Sequence, residues 1–438
     1  MAILIGITVN YTVGENGIIK QSEEVRDNIE IAKNEGQQKI DQIKSGEDAV
    51  LDGAVSRNDT EAPTANNIEI TNITENSFTV NLNVTETNSG IKTVKYSIDD
   101  GKTWTDEERK YSYTFRNVSP WYVAYNVQIK TEDEAGNTKT YTDTTPGVRI
   151  PDGFVWVGGT KESGLVISDN LADKDRYHGK DDVGNDLQGN QFVWIPVEDI
   201  ADYKRTAYAA NIATGIIDTD TNSEKINYNS TNSDYYTEAL LTVEKASVEA
   251  NKGYYIGRYE AGDKESTNLK TLRTSSSSTS NTVVVKAGQT PYNYVTKTQA
   301  QGLAEDFSKK QGYTSVKTRL VSSYAWDTAI AFIQKSNSDY GSCSEEGNYN
   351  DTTFTYTDIT GVSQTKANGD STLIPTGQTT AVNNIYDMGG NIYEWTTEMF
   401  SYSNEYSGRR GGNFKDNFAV NPSGHRGNRK ISDIETRF

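Results

Sequence analysis

The sequence predicts an α+β protein in which an N-terminal helix and an all-β sandwich precede a large mixed C-terminal domain. Three observations predict it. Val25, Ile29, Ala32, Ile40 and Ile43 recur at helical spacing between charged residues. From Pro63 the pattern changes to alternation, as in Phe78-Thr79-Val80-Asn81-Leu82-Asn83-Val84. Beyond Ile150, two helical stripes stand among short strands and long polar loops. The 438 residues suit several folded units of about 100–200 residues each.

Residues 1–45 open with the apolar stub Ala2–Val9, which has no basic stretch before it and no cleavage signal, so it is not a complete signal peptide. A helix follows over 22–45, started by Ser22, Glu23 and Glu24 and weakened in its middle by Gly36. Its stripe is narrow, which fits a stalk or a short oligomerising coiled coil better than a globular core. Residues 46–62 are polar and aperiodic, hence a linker. Over 63–145 strands are expected around Ile68–Ile70, Phe78–Val84, Val94–Ile98 and Tyr125–Ile129. Turns separate them at Asn88-Ser89-Gly90, Asp99-Asp100-Gly101 and Glu134-Ala135-Gly136-Asn137, the spacing of a β-sandwich.

The last domain spans 150–438. Ala300, Leu303, Ala304 and Phe307 mark one helix; Trp326, Ile330 and Ile333 mark another, capped by Ser322 or Ser323. Residues 203–250 and 336–380 read as polar insertions, and 274–282 as low complexity. Tyr386, Met388, Tyr393 and Trp395 alternate with polar positions and read as core residues of a strand.

Composition excludes several functions. A net charge of −18 repels phosphate, so nucleic acid is not an expected partner. One cysteine, Cys343, forms no intrachain disulfide and no cysteine-based zinc site. Two histidines, His178 and His425, are too few for a three-histidine metal centre. No apolar run reaches the roughly 18 residues that a membrane span needs. The 27 tyrosines and 6 tryptophans set the chain apart from a disordered one. Loops rich in Asn, Thr, Ser, Tyr and Gly suit an exported protein.

Several segments resemble known families. GITVNYTVGENGIIKQSEE, followed by a charged helix, resembles the prepilin-like surface proteins of Gram-positive bacteria, in which a longer apolar helix anchors the protein at the membrane; here only a stub of it is present. YSIDDGKTW and IKTEDEAGNTKTYT resemble immunoglobulin-like or fibronectin-III-like modules of bacterial surface proteins, which usually act as spacers. The last domain resembles the formylglycine-generating-enzyme family, a variant of the C-type lectin fold. The resemblance rests on IPDGFVWVGG, YYIGRYEAG, TRLVSSYAWDTA, NIYDMGGNIYEWTTE and RRGGNF, the fourth being the most specific. At the end, Glu435 and Thr436 stand where that family has Gly and Phe.

Two chemistries are known in that family. One uses paired cysteines after the R-G-G-S motif to hold copper; counted from Gly411-Gly412, those positions carry Asp416 and Asn421 here. The other uses three histidines on iron. With both absent, the reading is a non-enzyme. The resemblance also implies a structural Ca²⁺, held by Asp387, the carbonyls of Gly390 and Ile392, and Glu394; hard oxygen donors on a glycine-containing loop suit that ion. The alternative is that the two acids bond backbone N–H groups or an arginine. Arg409 and Arg410 suit a carboxylate or sugar acid, or else pair with core acids.

Without catalytic residues, a lectin-like domain is usually a display scaffold. Of the 29 residues in 400–428, 16 are Ser, Tyr, Asn or Gly, a vocabulary favoured by paratopes, with Phe400, Tyr402, Tyr406, Phe414 and Phe418 interleaved. The placement resembles the variable proteins of diversity-generating retroelements, whose adenine-mutagenised codons cluster around and after R-G-G-S. That resemblance implies a ligand-binding face of Tyr402, Asn404, Tyr406, Asn413, Asp416, Asn417, Asn421, Ser423, His425 and Asn428, with Tyr402, Tyr406 and His425 exposed together. The implied partner is a protein or glycan, met at a cell surface or at a virion surface. The alternatives are a fixed-specificity adhesin or pilus-tip receptor and, after it, an enzyme with another centre.

Overall fold

The computed structural model describes residues 59–106, 110–206, 209–211, 216–217, 238–266, 282–341, 345–399 and 405–432. The stub, the helix expected over 22–45 and most of the linker lie outside them. The chain divides into two compact units, Met1–Arg149 and Ile150–Phe438. Among the described residues, no helix is long and apolar enough to cross a membrane.

The first unit has six strands: β1 (Thr64–Thr71), β2 (Ser77–Thr85), β3 (Ile91–Ser97), β4 (Ser112–Arg116), β5 (Asn126–Asp133) and β6 (Thr138–Thr144). They form two three-stranded antiparallel sheets, β1-β2-β4 and β3-β5-β6. Period-two alternation sends Phe78, Val80, Leu82 and Val84 of β2 into one core with Val94, Tyr96, Val127 and Ile129. The turn between β5 and β6 needs a left-handed residue, and Gly136 supplies it with φ 93°. Alternation did not reveal β6, because nearly all its side chains are exposed; only Tyr141 turns partly in, donating to the Pro63 carbonyl.

The strands of the second unit begin with β7 (Val155–Gly158), β8 (Val166–Ser168), β9 (Gln191–Pro196), β10 (Ala209–Asn211), β11 (Ile216–Ile217), β12 (Gly253–Gly257), β13 (Gly262–Asp263) and β14 (Val283–Val284). They continue with β15 (Thr290–Pro291), β16 (Phe354–Thr357), β17 (Ser363–Lys366), β18 (Glu394–Met399), β19 (Tyr406–Arg410) and β20 (Arg426–Lys430). The helices are α1 (Glu238–Asn251), α2 (Lys297–Gln311) and α3 (Ser323–Ile333). Two antiparallel sheets dominate, β12-β9-β8-β7 and β18-β19-β20. Val157, Val166, Val193 and Ile195 of the first pack with Trp326, Ala329, Ile330 and Ile333 of α3 and with Ile385 and Met388. Ala300, Leu303 and Phe307 of α2 share a cluster with Trp395 of β18.

Local chemistry sets the helix ends. Thr296 caps α2 in a reciprocal box with Gln299, and Gly312 closes it with φ 75°. Replacing Thr296 with alanine is expected to cost the second unit about 1 kcal/mol, measured by denaturant unfolding of the full chain. For α3 the cap is Ser322, which accepts from the Ala325 N–H.

The structure corrects three expectations. Helix α1 lies within the stretch read as a polar insertion; only Leu241 and Val248, one heptad apart, are its buried apolar anchors among the described side chains, too sparse a stripe to notice. The stretch 336–380 carries the β16–β17 hairpin and buries Tyr340, Tyr349 and Ile374. Tyr386 to Tyr393 forms no strand. Asn383, Asn384, Asp387, Gly390 and Asn391 all have positive φ, which only a succession of turns accommodates. Met388, Tyr393 and Trp395 are buried, while Tyr386 is half-buried.

Candidate functional site

The turn-rich segment 384–393 is fixed at both ends before any function is assigned. The Asn384 side chain donates to the carbonyls of Gly164 and Asp181 and accepts from Val183 N–H, tying the segment to the loops around β8. Asn391 donates to the Ile374 carbonyl and to Glu260, while its backbone N–H reaches the Asn348 carbonyl.

Three acids surround this segment, Glu260 and Asp387 buried and Glu394 half-buried with its Oε2 enclosed. Glu260 follows β12, Asp387 sits in the turns at φ 60°, and Glu394 opens β18. Gly377 N–H donates to Asp387 at 2.7 Å, and Thr379 Oγ1 lies at 3.4 Å. Glu260 Oε2 and Glu394 Oε2 are buried with no hydrogen-bonding partner among the described residues. Burial pushes Asp387 up to about 7 and both glutamates well above the carboxylate range; the charge of Asp387 adds to the rise at each glutamate. Arg258, fully buried nearby in sequence, spends its guanidinium on Asn384, Gly184 and Val183 carbonyls and on Gln191.

Orphaned carboxylate oxygens are costly when buried, and hard oxygens are the donors that suit Ca²⁺. These three acids nevertheless do not bring carboxylate oxygens within 4.8 Å of one another as a group of three. A Cβ on Gly411 would stand 2.6 Å from Glu394 Oε2 and 2.9 Å from the Met388 carbonyl, so a side chain there would crowd the acid. Glu260 was not singled out from sequence, although it stands inside YYIGRYEAG; its distance of well over a hundred residues from Asp387 hid the connection.

A second acid group lies in the first unit. Asp59, Glu86 and Asp133 bring carboxylate oxygens within 4.8 Å of one another. Their oxygens accept from Ser89, from Asn88 N–H and from Asn137, so this group is internally satisfied.

The residues of the expected binding face are placed unevenly. Tyr402 and Asn404, and the Asn428 side chain, lie outside the described residues. Asn417 is exposed; Tyr406, Asp416, Asn421 and His425 are partly buried. Asn413 and Ser423 are buried, so neither presents a side chain at the surface. Asn413 instead bonds Asp416 and accepts from Lys415 N–H.

Main-chain atoms grip this loop. The Asp416 carbonyl accepts from Asn350 N–H, the Ser423 carbonyl from Trp326 Nε1 at 3.0 Å, and Gly424 N–H donates to Gly341. Gly412, at φ 75°, leaves room for the Asn421 carbonyl.

Arg410 and Arg426 point to the other side of the sheet. With Asp327 of α3 and Glu398 of β18 they close a buried square of two cations and two anions, each side chain at most 1% exposed. Arg409 does not join it; its guanidinium lies 3.9 Å over the Tyr393 ring.

Of the possible catalytic residues, Cys343 lies outside the described residues, and His178 is exposed beside Trp156, ring centres 5.0 Å apart. Burial, then Arg409, Arg410 and Arg426, lowers His425 to about 3.

Residues 195–437 match the sulfatase-modifying factor enzyme 1-like domain. The match begins within β9, whereas the compact unit begins at Ile150. No curated protein matches the chain. Among solved structures, one described as "Titin kinase and its flanking domains" is similar at 12% identity, over 31% of this chain and 30% of that chain, with a TM-score of 0.16. So low a score carries no argument.

Proposed function

The chain belongs to the sulfatase-modifying factor enzyme 1-like family through residues 195–437, and we propose that within it this protein is a non-catalytic, surface-displayed binder. Its C-terminal loops recognise a ligand, and their codons are diversified by a retroelement. One observation carries the reading: the loop between β19 and β20 is held by its backbone, while Tyr406, Asp416, Asn417, Asn421 and His425 keep side chains at least partly accessible. Recognition on a rigid scaffold then depends on loop side chains alone. Asp416 and Asn421 at the positions of the family's paired cysteines support the absence of copper chemistry.

In this reading Asp387 and Glu394 hold a structural Ca²⁺ with the Gly390 and Ile392 carbonyls. The ion supplies positive charge and cross-links the turn segment. The first unit serves as an immunoglobulin-like spacer, and the segment before it as a prepilin-like stalk at the cell surface.

Sequencing the gene's 3′ end across many individuals of one population tests the proposal. Substitutions are expected at adenine-containing codons between Phe400 and Asn428, with a constant scaffold elsewhere. An invariant 3′ end would leave a receptor of fixed specificity.

A further inference from the structure

Lys366 ends β17, whose other three residues are exposed, yet it is itself only 1% exposed. Among the described residues its ammonium bonds carbonyls rather than a carboxylate: those of Tyr349, of Asn350 at 3.3 Å and of Thr352 at 2.8 Å. An ammonium has three N–H donors, so its capacity is fully used. Strand register sets Phe354 opposite Lys366, and the centre of the Phe354 ring lies 5.7 Å from the ammonium. Burial lowers the pKa of the ammonium, and the charges of Asp370 and Asp351 resist that fall. Carbonyl oxygens turned toward one point repel one another unless a cation stands between them, and loops offer such sets to metal ions. Here the cation is tethered to the chain.

The cation gathers the turn 349–352, and that turn holds the C-terminal loop. Asn350 N–H donates to the Asp416 carbonyl at 2.8 Å. Asp351 Oδ1 accepts from Phe418 N–H at 3.1 Å. The Tyr349 hydroxyl donates to the Gly411 carbonyl at 2.9 Å, and its ring meets Phe418 edge-on with centres 6.4 Å apart. Three consecutive residues of the turn thus grip the loop from Gly411 to Phe418. Asp416 and Asn417, both expected on the binding face, lie within that stretch.

We propose that Lys366 is a positioning residue for ligand recognition, a built-in cation that fixes residues 411–418 through the 349–352 turn. The inference rests on the C-terminal loops being the binding face. Lys366 acts on the ligand only through the loop. A side chain that merely filled the space would serve as well without its charge; a built-in cation would not.

Hydrogen–deuterium exchange of the full chain, read peptide by peptide, tests this without a ligand. Lys366→Met nearly keeps the length of the side chain and removes the charge. Peptides covering 411–418 are expected to exchange about tenfold faster, while those of α2 and α3 keep the parent rates. Lys366→Ala should behave alike, and propylammonium at millimolar concentration, which carries the atoms that variant lacks, should restore protection. Propanol and tetramethylammonium should not, the first lacking charge and the second lacking N–H donors. If Lys366→Ala does not fold by itself, folding in propylammonium but not in propanol is the expected result, and folding in neither overturns the proposal. Unchanged exchange over 411–418, equal loosening of α2 and α3, no rescue by propylammonium, or equal rescue by propanol each overturns it as well. An invariant 3′ end would remove the diversified binder and leave the loop's dependence on Lys366 standing; unchanged loop exchange beside diversified codons would do the reverse.

Discussion

Replacing Arg410 with methionine is expected to cost the second unit about 3–5 kcal/mol, the penalty for breaking a buried ion pair from one side. The square around it explains the size. Asp327 and Glu398 are fully buried, and Arg410 contacts both, as does Arg426. Burial drives the Asp327 carboxyl up, and the two arginines oppose that rise. Without Arg410, two acids face one cation in a space that water does not reach. Asp327 sits on α3 and the other three residues on β18, β19 and β20, so the loss loosens the attachment of the C-terminal sheet to its helix. The double change Arg410→Met with Asp327→Leu should recover much of the loss, because partners that leave together strand no charge. Denaturant unfolding of the three proteins measures the coupling. A single-variant cost below about 1 kcal/mol would show that water enters the square.

Calcium at a hundred times its dissociation constant is expected to stabilise the second unit by about 2.7 kcal/mol, by simple linkage. For a unit of this size that corresponds to roughly 5–10 °C in melting temperature, reversed by a chelator. The variant Glu394→Gln should respond in the opposite sense on two measures. It removes an ionisable group that burial already pushes toward the neutral form, so the calcium-free protein should melt no lower than the parent. It also removes a ligand, so the response to calcium should vanish. Magnesium should substitute poorly, because it demands a regular octahedron and gives up water reluctantly. A melting temperature unmoved by either calcium or chelator would sink the site.

Legibility in the sequence followed the range of the physics involved. Helices α2 and α3 could be read because Ala300, Leu303 and Phe307, and Trp326, Ile330 and Ile333, repeat within one or two turns. Strands β2 and β5 could be read because one face of each is buried. Helix α1 escaped because two anchoring residues make no stripe. The turn segment 384–393 was mistaken for a strand because its apolar residues alternate; the positive φ of its asparagines is a tertiary outcome. At the candidate site, Asp387 and Glu394 were visible as neighbours within one motif. Glu260 was not, since only folding brings β12 to them. Likewise, both Arg409 and Arg410 looked equally able to meet an acid. The two directions of a strand's side chains decide it, sending Arg410 to Asp327 and leaving Arg409 on Tyr393.

The grip on the 411–425 loop has a consequence for heredity. Part of its shape is written elsewhere, in Asn350, Trp326 and Gly341, which hold carbonyls and N–H groups that every amino acid shares; Asn413 adds side-chain bonds within the loop. A codon change at Asn417 or Asn421 therefore alters what the loop says without altering where it stands. In the proposed reading, the residues that set the loop's posture, Trp326, Gly341 and Asn350, are encoded outside the stretch whose codons would change.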